Sequence, residues 1–377
     1  MKNRIHCGDW RGGILALIGG RKILPLAAAM WLLSAWTAAA QSSASGPFED
    51  IQRNAAKVGS QKEAVEDVFI MSQGAIKRLG KIGVPAIPDI QSVLADRAKD
   101  WKVKAMMCEA LGKIDDAASA SVLEQVIQDG DQEEFVRAVA GHALAAMGRS
   151  DTGPFIERIV SSKSTPSSVR ARIMMAVGAT GFDDVDWLKR AAVGEGIEFH
   201  AGKELSQEQA QQEAGIILNA QRALGMSKNP KALDALIELQ EQHPTNAILT
   251  DVLARKKDPR TIPVLLKVLT YQGPGRRASD AADHAATGLG ELKAQEAVGP
   301  LIEIVMNDPD ELLVGEAALA LATIGDKSAI GPIQQVVENL HSDKRFTYVG
   351  DAYFNQAKLG NGPIAMLEKA LAELHSK

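Results

Sequence analysis

Residues 288–340 state one pattern twice. Gly288-Leu289-Gly290-Glu291-Leu292-Lys293, followed by Ala297-Val298-Gly299-Pro300-Leu301-Ile302, returns 32 residues later as Ala320-Leu321-Ala322-Thr323-Ile324-Gly325, followed by Ala329-Ile330-Gly331-Pro332-Ile333-Gln334. Each copy reads as an alanine-rich helix, a tight turn and a second helix whose aliphatic residues recur at helical spacing. Such a chain stacks one helical hairpin on the next. Each unit buries its apolar face against its neighbours, and the array grows by addition rather than by enlarging one core.

With the turn glycine or its equivalent as the register mark, units fall at Gly83, Asp115, Gly148 and Gly181, separated by 32, 33 and 33 residues. After a step of 47 the marks resume at Lys228, Lys257, Lys293, Gly325 and Gly360, separated by 29, 36, 32 and 35. The predicted fold is therefore all-α, an α/α superhelix of about nine hairpins with the last one truncated. Glycine at the mark can take the left-handed conformation that ends a helix, and Asp116, Asp258 and Asp326 just after it can cap the next one. Lys228 and Lys257 depart from that rule, so a turn of another kind is expected there. Proline recurs near the start of the second helices, where its missing amide costs nothing. An aromatic content of only 4% suits closely packed small-residue helices better than a β-rich or ligand-enclosing fold.

The first forty residues read as a secretory signal. Lys2, Arg4, Arg11, Arg21 and Lys22 precede an apolar run, and Ala38-Ala39-Ala40 before Gln41 fits the small-residue cleavage rule. The competing reading is an uncleaved anchor, although the run is shorter than the ~20 residues that span a bilayer comfortably. Residues 41–59 read as a polar tether and N-terminal cap, and residues 60–377 as the array, with an insertion near 193–212 that accounts for the long step. That insertion is expected to project as a loop carrying a short polar helix. Without residues 1–40 the chain keeps 37 Lys plus Arg against 46 Asp plus Glu, and this acidic balance disfavours nucleic acid, whose binding rests on neutralised phosphates. Cys7 leaves with the signal, so Cys108 stands alone and no internal disulfide can form. The expected address is the periplasm or the outside of the cell, with no stable membrane insertion after cleavage.

Ala110-Leu111-Gly112-Lys113-Ile114-Asp115-Asp116, Ala223-Leu224-Gly225 followed by Asn229-Pro230-Lys231-Ala232-Leu233, and Asp258-Pro259-Arg260-Thr261-Ile262-Pro263-Val264 resemble HEAT repeats, particularly the short type shared with phycobilisome lyases. The resemblance covers about residues 60–374. It implies a protein-binding scaffold in general and, by the lyase branch, an alternative as a lyase-like or partner-activated enzyme.

No convergent catalytic set is visible. His142, His200, His243, His284, His341 and His375 are scattered without zinc-ligand spacing, and Gly194-Glu195-Gly196 and Gly273-Pro274-Gly275 lack the context of a phosphate loop. The expectation is a protein that is not an enzyme, needs no cofactor or metal, and binds protein partners. The second helices are expected to line the inner side of the array. Their outward residues Glu124, Glu157, Arg158, Lys189, Arg190, Glu238, Tyr271, Glu303 and Glu338 are the partner-binding candidates, against the plainer reading of a solvated face. Tyr348 and Tyr353 join them, because Phe346, Tyr348, Tyr353 and Phe354 gather just before the last unit. Those aromatics either cap the hydrophobic core or anchor a partner.

Overall fold

Short-range turn chemistry ends each helix. In a computed structural model, which describes residues 44–58, 64–180, 182–200, 205–275, 280–339 and 362–376, no strand occurs among those residues. The architecture is an all-α solenoid type, and the chain divides into two compact units at Ser119/Ala120.

The first unit holds α1 (44–57), α2 (Ala64–Ile82), α3 (Ile87–Ala95) and α4 (Trp101–Ile114). Helix α1 does what a terminal cap requires. Ile51 and Ala55 are buried, and Asn54 Nδ2 donates to the Met71 carbonyl of α2 at 3.0 Å. Cys108 is buried on α4, and burial pushes its thiol pKa up, as for an inert apolar side chain.

The boundary falls within α5 (Ala117–Gln128), and the second unit continues with α6 (Glu134–Ala146), α7 (Gly153–Ser161), α8 (Ser167–Thr180), α9 (Val185–Ala191) and α10 (Gln207–Met226). It is completed by α11 (Pro230–Gln242), α12 (Ala247–Arg255), α13 (Ile262–Leu269), α14 (Ala281–Glu291), α15 (Val298–Asn307), α16 (Glu311–Ile324), α17 (Ile330–Asn339) and α18 (Pro363–Ser376).

Six register marks adopt positive φ: Gly83 at 73°, Asp115 at 52°, Gly148 at 64°, Lys257 at 50°, Lys293 at 53° and Gly325 at 87°. Lys257 thus makes the same left-handed turn as the glycines, contrary to the sequence expectation. Packing of the helices on either side holds it there against a local cost of roughly 1–2 kcal/mol. Lys228 does differ, since α10 ends at Ser227 in an extended conformation, φ −59° and ψ 137°. Gly181 and Gly360 lie outside the described residues. The caps follow: Asp116, Asp258 and Asp326 each accept a backbone amide two residues on, at 2.8 to 2.9 Å. Gly325→Val would force a branched side chain into the left-handed region, so a loss of about 1–2 kcal/mol is expected. A melting temperature lowered by ~3–6 °C would register it, whereas an unchanged melt would mean that the turn does not constrain the fold.

Within the second unit the helices form two unequal rows. Successive first helices (α6, α8 and α10, then α12, α14 and α16) pack extensively on one another, while the second helices α7, α9, α11, α13, α15 and α17 touch their counterparts far less. Small residues permit this: a Cβ on Gly141 of α6 would stand 2.5 Å from Ile173 Cγ1 of α8. The first helices are also the longer ones, α8 with 14 residues and α10 with 20 against 7 in α9, which adds to the contact within their row. Helix α18, opened by Pro363, packs mainly against α16, the place of a first helix, so this proline departs from the expectation that the recurring prolines open second helices.

One side-chain contact recurs with the repeat. Arg137 Nε on α6 donates to the Ile127 carbonyl at 2.9 Å, and 33 residues later Arg170 Nε on α8 donates to the Val160 carbonyl at 2.8 Å. Each guanidinium binds a first helix to the last turn of the second helix before it, satisfying a carbonyl that has no partner within that helix.

Candidate functional site

The second-helix residues proposed from sequence are largely engaged with one another. Glu157 on α7 pairs with Arg190 on α9 at 3.1 Å, and Lys189 on α9 with Glu238 on α11 at 2.5 Å. Asp234 and Glu241 on α11 pair with Arg260 at 3.2 Å and with Lys267 at 2.5 Å. These contacts form a ladder bridging the wider gaps of the second row. Each pair is exposed and contributes about 0–1 kcal/mol. Arg158 lies over the Phe155 ring at 4.9 Å, and burial raises the Glu124 carboxyl above its ordinary range while Arg158 opposes that shift. Glu338 accepts from Gln334 Nε2 at 2.8 Å. Tyr348 and Tyr353 lie outside the described residues, as do Phe346, Phe354 and His341.

Two of the proposed residues sit at a cleft. The turns that follow α13 and α15 enclose about 550 Å³ between Gln272, Gly273, Glu303, Asn307, Asp308 and Pro309. Tyr271 adjoins it, its hydroxyl donating to the Pro274 carbonyl at 3.4 Å, and Glu303 accepts from Asn307 Nδ2 at 2.8 Å. Buried Asp308 accepts the Asp310 amide at 3.0 Å, and Asp310 caps α16 by accepting from Leu312 and Leu313. The local charge is strongly negative, since residues 280–339 contain eleven Asp or Glu against Lys293 and Lys327.

Asp283, in the first turn of α14, responds to that field. Burial pushes its carboxyl up to about 7, and the charges of Asp310, Asp280, Glu316 and Asp308 add to the shift. A carboxyl whose pKa rises on folding binds a proton in the folded state that the unfolded chain has released. Its contribution to stability is therefore full below about pH 4 and lost as pH rises through 7. Asp283→Asn should raise stability at pH 8 by about 1–2 kcal/mol, a figure reduced for water's access to the group, and should have little effect near pH 4. Melts at the two pH values check this; an equal difference at both would refute it.

A second polar cluster, which sequence reasoning missed, lies where the inserted segment meets α8 and α10. Arg170 is 0% exposed and Glu213 5% exposed. Glu213 Oε1 accepts from Ser167 Oγ at 3.0 Å and from Arg170 Nη1 at 3.4 Å, and it meets His200 Nδ1 at 2.6 Å; Oε2 accepts the His200 amide at 3.2 Å. Burial alone would raise the Glu213 pKa. The His200 and Ser167 hydrogen bonds and the Arg170 charge outweigh it and hold the carboxyl below its usual range. Arg170 Nη2 donates to the Glu198 carbonyl at 2.8 Å, and its guanidinium stands 5.8 Å from the Phe199 ring centroid. Residues 193–200 therefore lie against the unit instead of projecting, with Ile197 buried and the Glu198 amide donating to the Ser161 carbonyl at 2.9 Å. Much of the remaining insertion is taken up by α10, a helix of 20 residues against 14 in α8. The polar signal was present, as Ser206 and Gln209 form a capping box that opens α10.

Among the described residues no three His, Cys, Asp or Glu come together to hold a metal ion, and no helix is long and apolar enough to cross a membrane.

Residues 71–145 match the family description of HEAT repeats. No curated protein sequence matches the chain. Among solved structures, human deoxyhypusine hydroxylase in complex with glycerol is similar at 18% identity, covering 90% of this chain and 98% of that one, with a TM-score of 0.30. The expectation that the chain is not an enzyme is corrected by that finding, because the matched protein is one; a likeness of this strength carries nothing further. The narrower link to phycobilisome lyases finds no support in these matches.

Proposed function

We propose that this HEAT-repeat protein is exported to the cell envelope, loses residues 1–40, and binds a protein partner through its second unit. HEAT repeats commonly serve as protein-interaction surfaces. The observation that carries the reading is the cleft of about 550 Å³ after α13 and α15, where Gln272, Glu303 and Asn307 are exposed. Its acidic and amide lining suits a partner segment that brings amide, hydroxyl or basic groups.

Crosslinking in the native envelope, followed by affinity purification of wild type and of the double variant Gln272→Lys with Glu303→Lys, tests the site. The partner should be lost from the variant while its melt stays the same; equal recovery would place binding elsewhere. N-terminal sequencing of the same material tests the address. A mature chain starting at Gln41 is expected, and an intact Met1 in the membrane pellet would overturn export with cleavage.

A further inference from the structure

Residues 193–200 connect α9 to the loop before α10 and are held by contacts of unequal kind. At their start, Gly194 and Gly196 both adopt the left-handed conformation, φ 78° and 76°, giving two pivots within three residues. In the middle, Ile197 is the buried apolar side chain, and the Glu198 amide donates to Ser161 O while its carboxylate accepts the Lys163 amide at 3.2 Å. At the far end, His200 is fixed by both Glu213 oxygens. Phe199 is more than a third exposed, yet its ring borders Gly194 and the Arg170 guanidinium.

We propose that residues 193–200 form a strap that pivots at Gly194 and Gly196, closes over Arg170, and is latched at its far end by Glu213. The helices beneath do not depend on the strap for their packing, because α8 and α10 make one of the most extensive helix contacts in the unit. The strap thus belongs to the low-stability part of the fold, where local opening occurs without global unfolding. Arg170 Nε keeps its bond to Val160 O when the strap lifts, whereas Nη2 loses Glu198 O. Opening therefore uncovers a guanidinium with a free donor, beside the apolar seat that Ile197 vacates.

Amide exchange and limited proteolysis of the full chain test the strap. In wild type, residues 193–200 should exchange and be cut well before α8 and α10. In Glu213→Gln, both rates at 193–200 should rise at least tenfold more than those of α8 and α10. Phe199→Ser, which removes a strap contact and leaves the buried carboxylate in place, should show the same selective rise and decides the matter if Glu213→Gln does not fold. Strap protection unchanged in the folded variants, or lost in step with α8 and α10, would overturn the proposal.

Discussion

Gly290→Ala is expected to destabilise the protein by about 2–3 kcal/mol, against the ordinary rule that alanine in place of a helical glycine stabilises. A methyl group at Gly290 of α14 would stand 2.8 Å from Ala320 Cα and 3.3 Å from Ala320 O of α16. Those atoms are backbone. No rotamer change relieves the overlap, so the two helices must move apart, and the buried contacts along the row move with them. The same change at Gly331 of α17 meets nothing within 4 Å and serves as the internal control. Paired melts should show opposite signs, Gly290→Ala lowered by roughly 5–10 °C and Gly331→Ala unchanged or slightly raised. Matching signs would mean that the first-helix row does not depend on backbone approach at Gly290.

What the sequence disclosed and what it withheld divide along the range of the interactions involved. A left-handed glycine and an Asp two residues before the amide it caps are local, so Gly325 with Asp326 could be read directly, and the repeat then fixed the hairpins. Lys257 was misread because tertiary packing supplies the energy that holds a side-chain-bearing residue at φ 50°. The ladder partners Lys189 and Glu238 stand 49 residues apart, across a helix of the other row, and no periodicity announces them. Close approach within the first-helix row is likewise tertiary: the small residues that permit it, Gly141 and Gly288 among them, were visible in the sequence, but the atoms they meet, Ile173 and Ala254, were not. The recurring Arg137 and Arg170 could have been found by stacking the repeats in register, since their acceptors Ile127 and Val160 share the same 33-residue offset. Glu213 gave no such sign. Its role depends on where the inserted residues return to the fold.

Arg170→Met is expected to cost about 3–5 kcal/mol, among the largest effects of any single substitution in the second unit. Methionine fills much of the volume but donates nothing. Val160 O loses its donor, Glu198 O loses another, and Glu213 keeps its charge in a site from which the neutralising guanidinium has gone. Unmade bonds to buried groups carry most of that cost, because an unsatisfied buried acceptor is dearer than a made bond is favourable. Arg137, whose Ile127 contact lies nearer the surface, supplies a comparison: Arg137→Met removes one donor and strands no buried carboxylate, so about 1 kcal/mol is expected. Combining Arg170→Met with Glu213→Leu separates charge from packing. If the stranded carboxylate dominates, the double variant should recover part of the loss and be more stable than Arg170→Met alone. Denaturant melts of the four proteins measure this. A double variant less stable than Arg170→Met would assign the cost to the two carbonyls and the strap rather than to Glu213, and an Arg170→Met protein within 1 kcal/mol of wild type would show that the buried cluster does not hold the unit together.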